Sequence, residues 1–324
     1  MSEAYMISVI VATKNRSEAI AACALPSLAR QDETGFEVLI WDASDDESTK
    51  EIADSQKFLF ETRGIDLIYQ KAGRSGLTSQ RNDAVLAARG DVILFLDDDC
   101  EPSSDAVRVV RKYFDDFTWL KGMGLPLINK FHRNTSRKHG TRVFLKDIFY
   151  RIFFGPSGNK RVIRPSTNYM LPEMDVPGPA ELLSGGSMAF RKDVFREIQF
   201  EERLQRFGGY AYGEDVDFSY RVFLRFGEPF IIASAGHVIH RGSPGGRIKS
   251  DSAKFSAMYY NTRIIRDNFK EYGKYGLISF LWEQRIGRSI AMLAGGYRLM
   301  DMIRGYIEYR KALREDNPKA RVRR

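Results

Sequence analysis

The chain has 324 residues, 43% of them hydrophobic, and carries 50 lysines and arginines against 42 aspartates and glutamates, a formal charge of +8. That apolar share over that length can bury a large core and rules out a wholly disordered chain. The cationic excess suits a polyanion, whether nucleic acid, an anionic membrane or a phosphorylated substrate; with no RNA-recognition motif, zinc finger or basic zipper, and arginines dispersed along the chain, nucleic acid is set aside.

Cys23 and Cys100 lie far apart without a metal-type spacing, so neither a disulfide framework nor a zinc site is expected, and a reducing cytoplasm fits best. The start of the chain lacks a basic stretch followed by an apolar one. No window of about 18 uninterrupted apolar residues occurs, so neither secretion nor membrane spanning is expected.

From the start, short apolar runs alternate with amphipathic stretches, the rhythm of βαβ units and of an α/β fold with a mostly parallel central sheet flanked by helices. The spacing predicts strands at Ile7 to Thr13, Glu37 to Trp41, Ile65 to Gln70 and Asp91 to Leu96. Helices are predicted at Ser17 to Arg30, Glu47 to Phe60 and Leu77 to Ala88. Polar residues at the strand ends are then candidates for a ligand crevice. From 129 to 180 the pattern weakens into a variable insertion that could form a lid. Order returns at Gly185-Gly186-Ser187-Met188, with a helical start at Arg191 to Glu197, a helix at Glu214 to Phe226 and a strand at Phe230 to Ala233. The division expected is a catalytic domain over 1–250 and a helical extension over 251–324.

The first chemical signal is Asp97-Asp98-Asp99, three carboxylates at the end of a buried strand. Adjacent anions repel, and a hard divalent cation makes them tolerable. Oxygen ligands point to Mg2+ or Mn2+. Alternate residues of a strand share a face, so Asp97 and Asp99 address one ligand while Asp98 points elsewhere. A solvated loop with helix-capping aspartates is the competing reading. The second signal is Glu214-Asp215, an acid pair opening an amphipathic helix after a glycine-rich turn. Acids are favoured there by the helix dipole alone; the functional reading makes Asp215 a general base, with Glu214 orienting the acceptor or the base.

Taken together these segments resemble the family 2 glycosyltransferases, which have the GT-A fold and generally invert at the anomeric carbon. The resemblance covers roughly 5 to 245. It rests on Ser8-Val9-Ile10-Val11-Ala12-Thr13-Lys14-Asn15-Arg16, Trp41-Asp42-Ala43-Ser44-Asp45-Asp46, Gly73-Arg74-Ser75-Gly76 with Gln80-Arg81-Asn82-Asp83-Ala84, the DXD pair Asp97 and Asp99, and Glu214-Asp215. It implies that Thr13, Arg16, Asp42, Arg81, Asp97 and Asp98 lie about a bound nucleotide, Asp42 near the base and Arg81 at the diphosphate. It also implies that Asp97 and Asp99 hold the metal and that Asp215 is the base. His240 is added as a metal ligand; in an extended segment His237 and His240 face opposite ways, so one of them joins at most. The glycine-rich run after His240 could close over phosphates with Arg241 and Arg247.

The expected reaction is transfer of a sugar from a nucleoside-diphosphate donor, a UDP-sugar by default, to a carbohydrate or lipid-linked acceptor in surface polysaccharide or glycolipid assembly. No Gln-x-x-Arg-Trp sequence follows the acid pair and no transmembrane helices are seen, features that resemble processive synthases when present, so a single addition is expected. A nucleotidyltransferase or phosphohydrolase would also suit three aspartates, but the first turn lacks the glycine-rich loop of the former and the acidic pair of the latter. A non-enzymatic membrane scaffold leaves both acid clusters unexplained.

A basic strip, Arg133, Arg137, Lys138 and Arg142, precedes the aromatic run at 149–154 and suits either an anionic acceptor or a solvated insertion. In the C-terminal part Ile278, Leu281, Trp282, Ile286, Ile290, Leu293, Tyr297, Met300, Ile303 and Ile307 recur at helical spacing. These amphipathic helices either pack on the catalytic domain or a partner subunit, or lie on an anionic membrane, helped by the basic excess from Arg310 to Arg324. Peripheral attachment at the inner face of the cell membrane is expected, because a lipid-linked acceptor would explain it.

Overall fold

Residues 7–13 alternate branched apolar side chains that fit both faces of a covered strand, and they form β1 (Ile7–Thr13). A computed structural model describes residues 5–129, 162–163, 168–169, 177–207, 211–243, 250–272 and 298–315. Parallel to β1 run β2 (Phe36–Asp42) on one side and β4 (Val92–Asp97) on the other, and β3 (Asp66–Lys71) lies outside β2. The register pairs Thr13 with Asp42 and Ala12 with Asp97, so these strands bring their polar C-terminal residues to one edge.

Beyond β4 the sheet is mixed. β11 (Met188–Arg191) pairs antiparallel with β4 and with β6 (Gly122–Gly124), followed by β12 (Phe230–Ile232) and β10 (Gly178–Ala180). The eight-stranded order is β10-β12-β6-β11-β4-β1-β2-β3. A smaller sheet places β13 (Val238–His240) between β5 (Cys100–Pro102) and β7 (Leu127–Asn129), while β8 (Val162–Ile163) and β9 (Asn168–Tyr169) pair separately.

The two faces of the large sheet bury separate apolar clusters. Ile7, Val9 and Val11 point to one side, against α1 (Ser17–Ala22), α2 (Ala24–Leu28), α3 (Ser48–Thr62) and α5 (Ala106–Asp116). Ile10, Ile93 and Phe95 point to the other, against α4 (Leu77–Ala87) and α6 (Glu214–Phe226). Helices on both faces are what a strand run as apolar as Ile93-Leu94-Phe95-Leu96 requires. The single helix predicted from Ser17 to Arg30 is two, broken at Cys23. The cause is Pro26, which has no N–H to continue the ladder and belongs in a first turn, so a second helix starts just before it. The helical start predicted after β11 is a 3-10 turn, Lys192–Arg196.

A third cluster joins Val216 and Tyr220 of α6 to Tyr260, Ile264 and Phe269 of α7 (Asp251–Tyr272) and Ala312 of α8 (Leu299–Glu315). Buried Asp217 of α6 pairs with Arg221 at 2.6 Å and accepts a 2.9 Å hydrogen bond from Asn268 of α7. The described helices after 250 are therefore docked on the α/β layers. Among the described residues no helix is long and apolar enough to cross a membrane.

Candidate active site

The chain turns sharply after β4, and the three aspartates part company. Asp98 is buried and takes a 2.7 Å hydrogen bond from the Thr13 hydroxyl and a 3.1 Å ion pair from Arg16. Asp99 meets the same guanidinium at 2.6 Å, accepts from the Ser243 N–H at 2.6 Å and lies 3.2 Å from His240 Nε2. Asp97 keeps 34% of its side chain exposed and pairs with Arg81 at 3.0 Å. Asp98 and Asp99 thus converge on Arg16 while Asp97 turns to Arg81, a split set by the turn after β4 rather than by strand alternation.

Their environments differ in electrostatic outcome. For Asp98 burial outweighs Arg16 and Thr13 and pushes its carboxyl up to about 7. Burial would raise Asp99 too, but the hydrogen bonds from His240 and Ser243 and the charge of Arg16 hold it well below the usual carboxylate range. Asp99 is therefore held as an anion where its neighbour Asp98 is pushed towards the neutral acid.

Antiparallel pairing of β13 with β5 sets His240 directly opposite Cys100. Asp97, Asp99, Cys100 and His240 each offer a donor atom, and these atoms lie within 4.8 Å of one another. Donors bound to a common divalent cation sit about 3 to 4.5 Å apart, so the cluster fits one. His240 Nδ1 is 2.8 Å from Asn129 Oδ1. With that oxygen accepting, Nδ1 carries a proton and the ring is held with Nε2 towards Asp99; the Nε2–H that bonds Asp99 in the metal-free site is the proton a cation between them would replace. Gly186 keeps the space open: a Cβ there would stand 3.1 Å from Cys100 Sγ and 3.3 Å from Asp97 Oδ2. A nitrogen and a sulfur atom stand beside the carboxylates, a softer donor set than the aspartates alone.

The second acid cluster opens α6 after Gly213, whose φ of 80° is the left-handed region that glycine tolerates. Glu214 turns inward to Arg81, 3.1 Å away. Asp215 stays partly exposed; one oxygen accepts from the Gly185 N–H at 2.9 Å and the other from the Val216 N–H at 2.8 Å. Burial, reinforced by the charge of Asp215, pushes Glu214 up to about 8 against the pull of Arg81. Burial also raises Asp215 above its ordinary value in spite of its two N–H donors.

Arg81 joins the clusters. It is 2% exposed, stands beside the rings of Phe95 and Phe200 at 5.5 and 5.4 Å, and reaches Asp97, Glu214 and the Gly185 carbonyl. Expected at a diphosphate, it binds two protein acids in this structure. Asp42 is fully buried, bonded by the Ser44 N–H at 2.8 Å, the Ser44 hydroxyl and the Tyr69 hydroxyl at 2.9 Å. It shares the strand edge with Thr13 but offers no open oxygen. Arg241, expected over phosphates, pairs with Glu101 at 2.6 Å. Arg247, the basic strip from Arg133 to Arg142 and the aromatic run at 149–154 lie outside the described residues.

Residues 8–199 match the profile of glycosyl transferase family 2. The chain belongs to this family. Among relatives it is 24% identical over 323 residues to WcaA of Escherichia coli K12, assigned to colanic acid biosynthesis as a glycosyl transferase, covering 93% of this chain and 98% of that protein. It is 26% identical over 192 residues to the glycosyltransferase AglE of Haloferax volcanii, covering 57% of this chain and 60% of AglE. Among solved structures it resembles S. aureus TarS 1–349 in complex with UDP-GlcNAc, with a TM-score of 0.61 at 17% identity over 94% of this chain and 80% of that one. It also resembles the mannosyltransferase PcManGT of Pyrobaculum calidifontis with GDP-Man and Mn2+, with a TM-score of 0.51 at 15% identity over 99% and 83%. These structures establish the GT-A fold. The match to AglE spans less than two thirds of that protein's length.

In this family 2 chain two contributors to the site escaped the sequence reading. Cys100 was set aside because cysteine spacing was searched for ligand pairs, whereas its partner His240 lies across a strand pairing. Gly185 was read only as part of an ordered segment, yet its N–H holds Asp215. Glycines before a strand that pairs beside an acid cluster were the available signal.

Proposed function

We propose that this chain is an inverting, metal-dependent glycosyltransferase. It would move a sugar from a nucleoside-diphosphate donor, a UDP-sugar by default, to a hydroxyl of a carbohydrate or lipid-linked acceptor. The observation that carries the reading is Arg81, which ties a carboxylate of a cation-sized donor cluster to an acid pair opening a helix. Donor activation and acceptor activation need those two groups within one site.

Asp215, oriented by the Gly185 and Val216 N–H groups, accepts the proton of the acceptor hydroxyl. That oxygen forms its bond to the anomeric carbon as the bond to the diphosphate oxygen breaks, and attack from the opposite side inverts the centre. Glu214, held by Arg81, keeps the helix start and its base in place. A divalent cation held by Asp97, Asp99 and His240 would supply charge stabilisation for the departing diphosphate. TarS and PcManGT were solved with UDP-GlcNAc and with GDP-Man and Mn2+, which supports a donor and metal of these classes. The likeness to WcaA supports a place in polysaccharide assembly, and a cytoplasmic site of action follows from donor chemistry of that kind.

Calorimetric titration of UDP, GDP and dTDP with and without Mn2+ tests the reading. One diphosphate should bind in a metal-dependent manner, and binding should vanish in Asp99→Ala; metal-independent binding, or none, would overturn it. Asp215→Asn should bind the same diphosphate normally while turnover falls by about 10²-fold or more.

A further inference from the structure

α8 has two unlike faces. Towards α7 it presents Met302, Gly305 and Ala312, all buried. Gly305 comes so near that a Cβ would stand 2.5 Å from the Ser256 carbonyl oxygen. On the opposite arc of the same helix lie Leu299, Met300, Ile303, Tyr306 and Ile307, each between 41% and 61% exposed. The arc continues into Arg310 and Arg314 and is bordered by Arg304 and Lys311, all exposed.

The acids of this helix are kept off that arc. Asp301 is buried, bonded to the Ser252 hydroxyl and paired with Arg298 at 3.0 Å. Glu308 and Glu315 turn to Arg206 at 3.2 and 2.7 Å, and Glu308 also takes Lys311. Neither Arg310 nor Arg314 pairs with an acid among the described residues. A helix packed on one side normally turns its charges to water and its large apolar residues inward. Here small residues face inward, and the outward arc carries five large apolar side chains and cations alone.

Single exposed apolar residues need no explanation, but a continuous stripe of them does. A second copy laid on this arc would bring identical cations into one interface, which opposes self-association. An anionic bilayer satisfies both parts, because it offers an apolar interior and a phosphate surface at the depths an amphipathic helix reaches. We propose that the outward face of α8 docks on an anionic lipid bilayer. Leu299, Ile303 and Ile307 enter the acyl boundary, while Arg310, Lys311 and Arg314 meet the lipid phosphates. The proposal stands independently of the catalytic reading. It refines the expectation from sequence at Met300, Ile303 and Ile307, since among the described residues α8 packs with one face and turns this one outward; Ile278 to Tyr297 lie outside the described residues.

The test is cosedimentation of the full chain with vesicles of phosphatidylglycerol and phosphatidylcholine, against phosphatidylcholine alone. Binding is expected on the anionic vesicles at low salt, with a marked loss at high salt. Ile303→Asp with Ile307→Asp, and separately Arg310→Glu with Arg314→Glu, should each weaken it by about ten-fold or more. Both variants should keep the native unfolding midpoint, since the altered side chains face away from α7. No binding of the native chain, or native-like binding by both variants, overturns the proposal. Cys23 and Cys100 are buried, so Ile303→Cys supplies one reactive thiol for the remaining alternatives. Rapid maleimide labelling without lipid and protection by anionic vesicles is expected. Slow labelling at all concentrations would show that the chain covers the arc itself, and protection that grows with protein concentration would assign it to a second copy; either outcome overturns the proposal.

Discussion

Arg81 binds two carboxylates, one of them 133 positions away in the chain. Its charge is buried with Glu214, so Arg81→Met leaves a carboxylate without its cation. The expected cost is about 3–5 kcal/mol, read from urea unfolding. Glu214 itself gives a pH signature. Its pKa is raised from 4.5 to about 8, so between those values the folded chain holds a proton that the unfolded chain has released. Stability contributed at low pH is lost as pH rises through that window. Thermal unfolding of the metal-free protein at steps from about pH 5 to pH 8 should show this decline, and Glu214→Gln should make it shallower, Asp98 and Asp215 contributing the remainder. At this scale the acids were legible, because Asp97-Asp98-Asp99 and Glu214-Asp215 are contiguous and their repulsion is visible in one dimension. Arg16 and Arg81 were named only through the family resemblance, at a nucleotide, and His240 as a metal ligand; that Arg16, Arg81 and His240 come within 3.2 Å of these carboxylates is set by folding.

Strands and helices show the same division one level up. β1 and α6 were placed from periodicity with the bounds the structure has, because both carry unbroken patterns. The helix after β1 was drawn too long, since its apolar spacing continues through Pro26 while its backbone hydrogen bonds do not. The sheet was read as mostly parallel; β11 enters antiparallel beside β4, a direction that hydrophobicity cannot encode. That entry delivers Gly185 and Gly186 between the two acid clusters. Gly186→Ala should leave the fold intact but crowd Asp97 and Cys100, lowering Mn2+-dependent nucleotide affinity by about ten-fold. Native affinity in that variant would show that the cation needs no room there.

Over the whole molecule, the extension expected from 251 onward shares a core with the catalytic layers. Ending the chain after Ser250 would strip α7 from Val216 and Tyr220, each worth about 1.5–3 kcal/mol of burial. It would also leave Asp217 without Asn268. Such a chain is expected to unfold at lower temperature or to aggregate, as judged by scanning calorimetry and size-exclusion chromatography. An unaltered midpoint would mean that the docked helices contribute nothing to stability. The sequence by itself determined the α/β class, the strand-end acids and a C-terminal apolar stripe through Met300, Ile303 and Ile307, because each is written in local spacing. Only the tertiary structure decided that the stripe faces outward, since the small residues on the other side, Gly305 and Ala312, allow the closer approach to α7. It likewise decided that Cys100 and His240 meet, because strand pairing joins residues whose separation in sequence carries no signal.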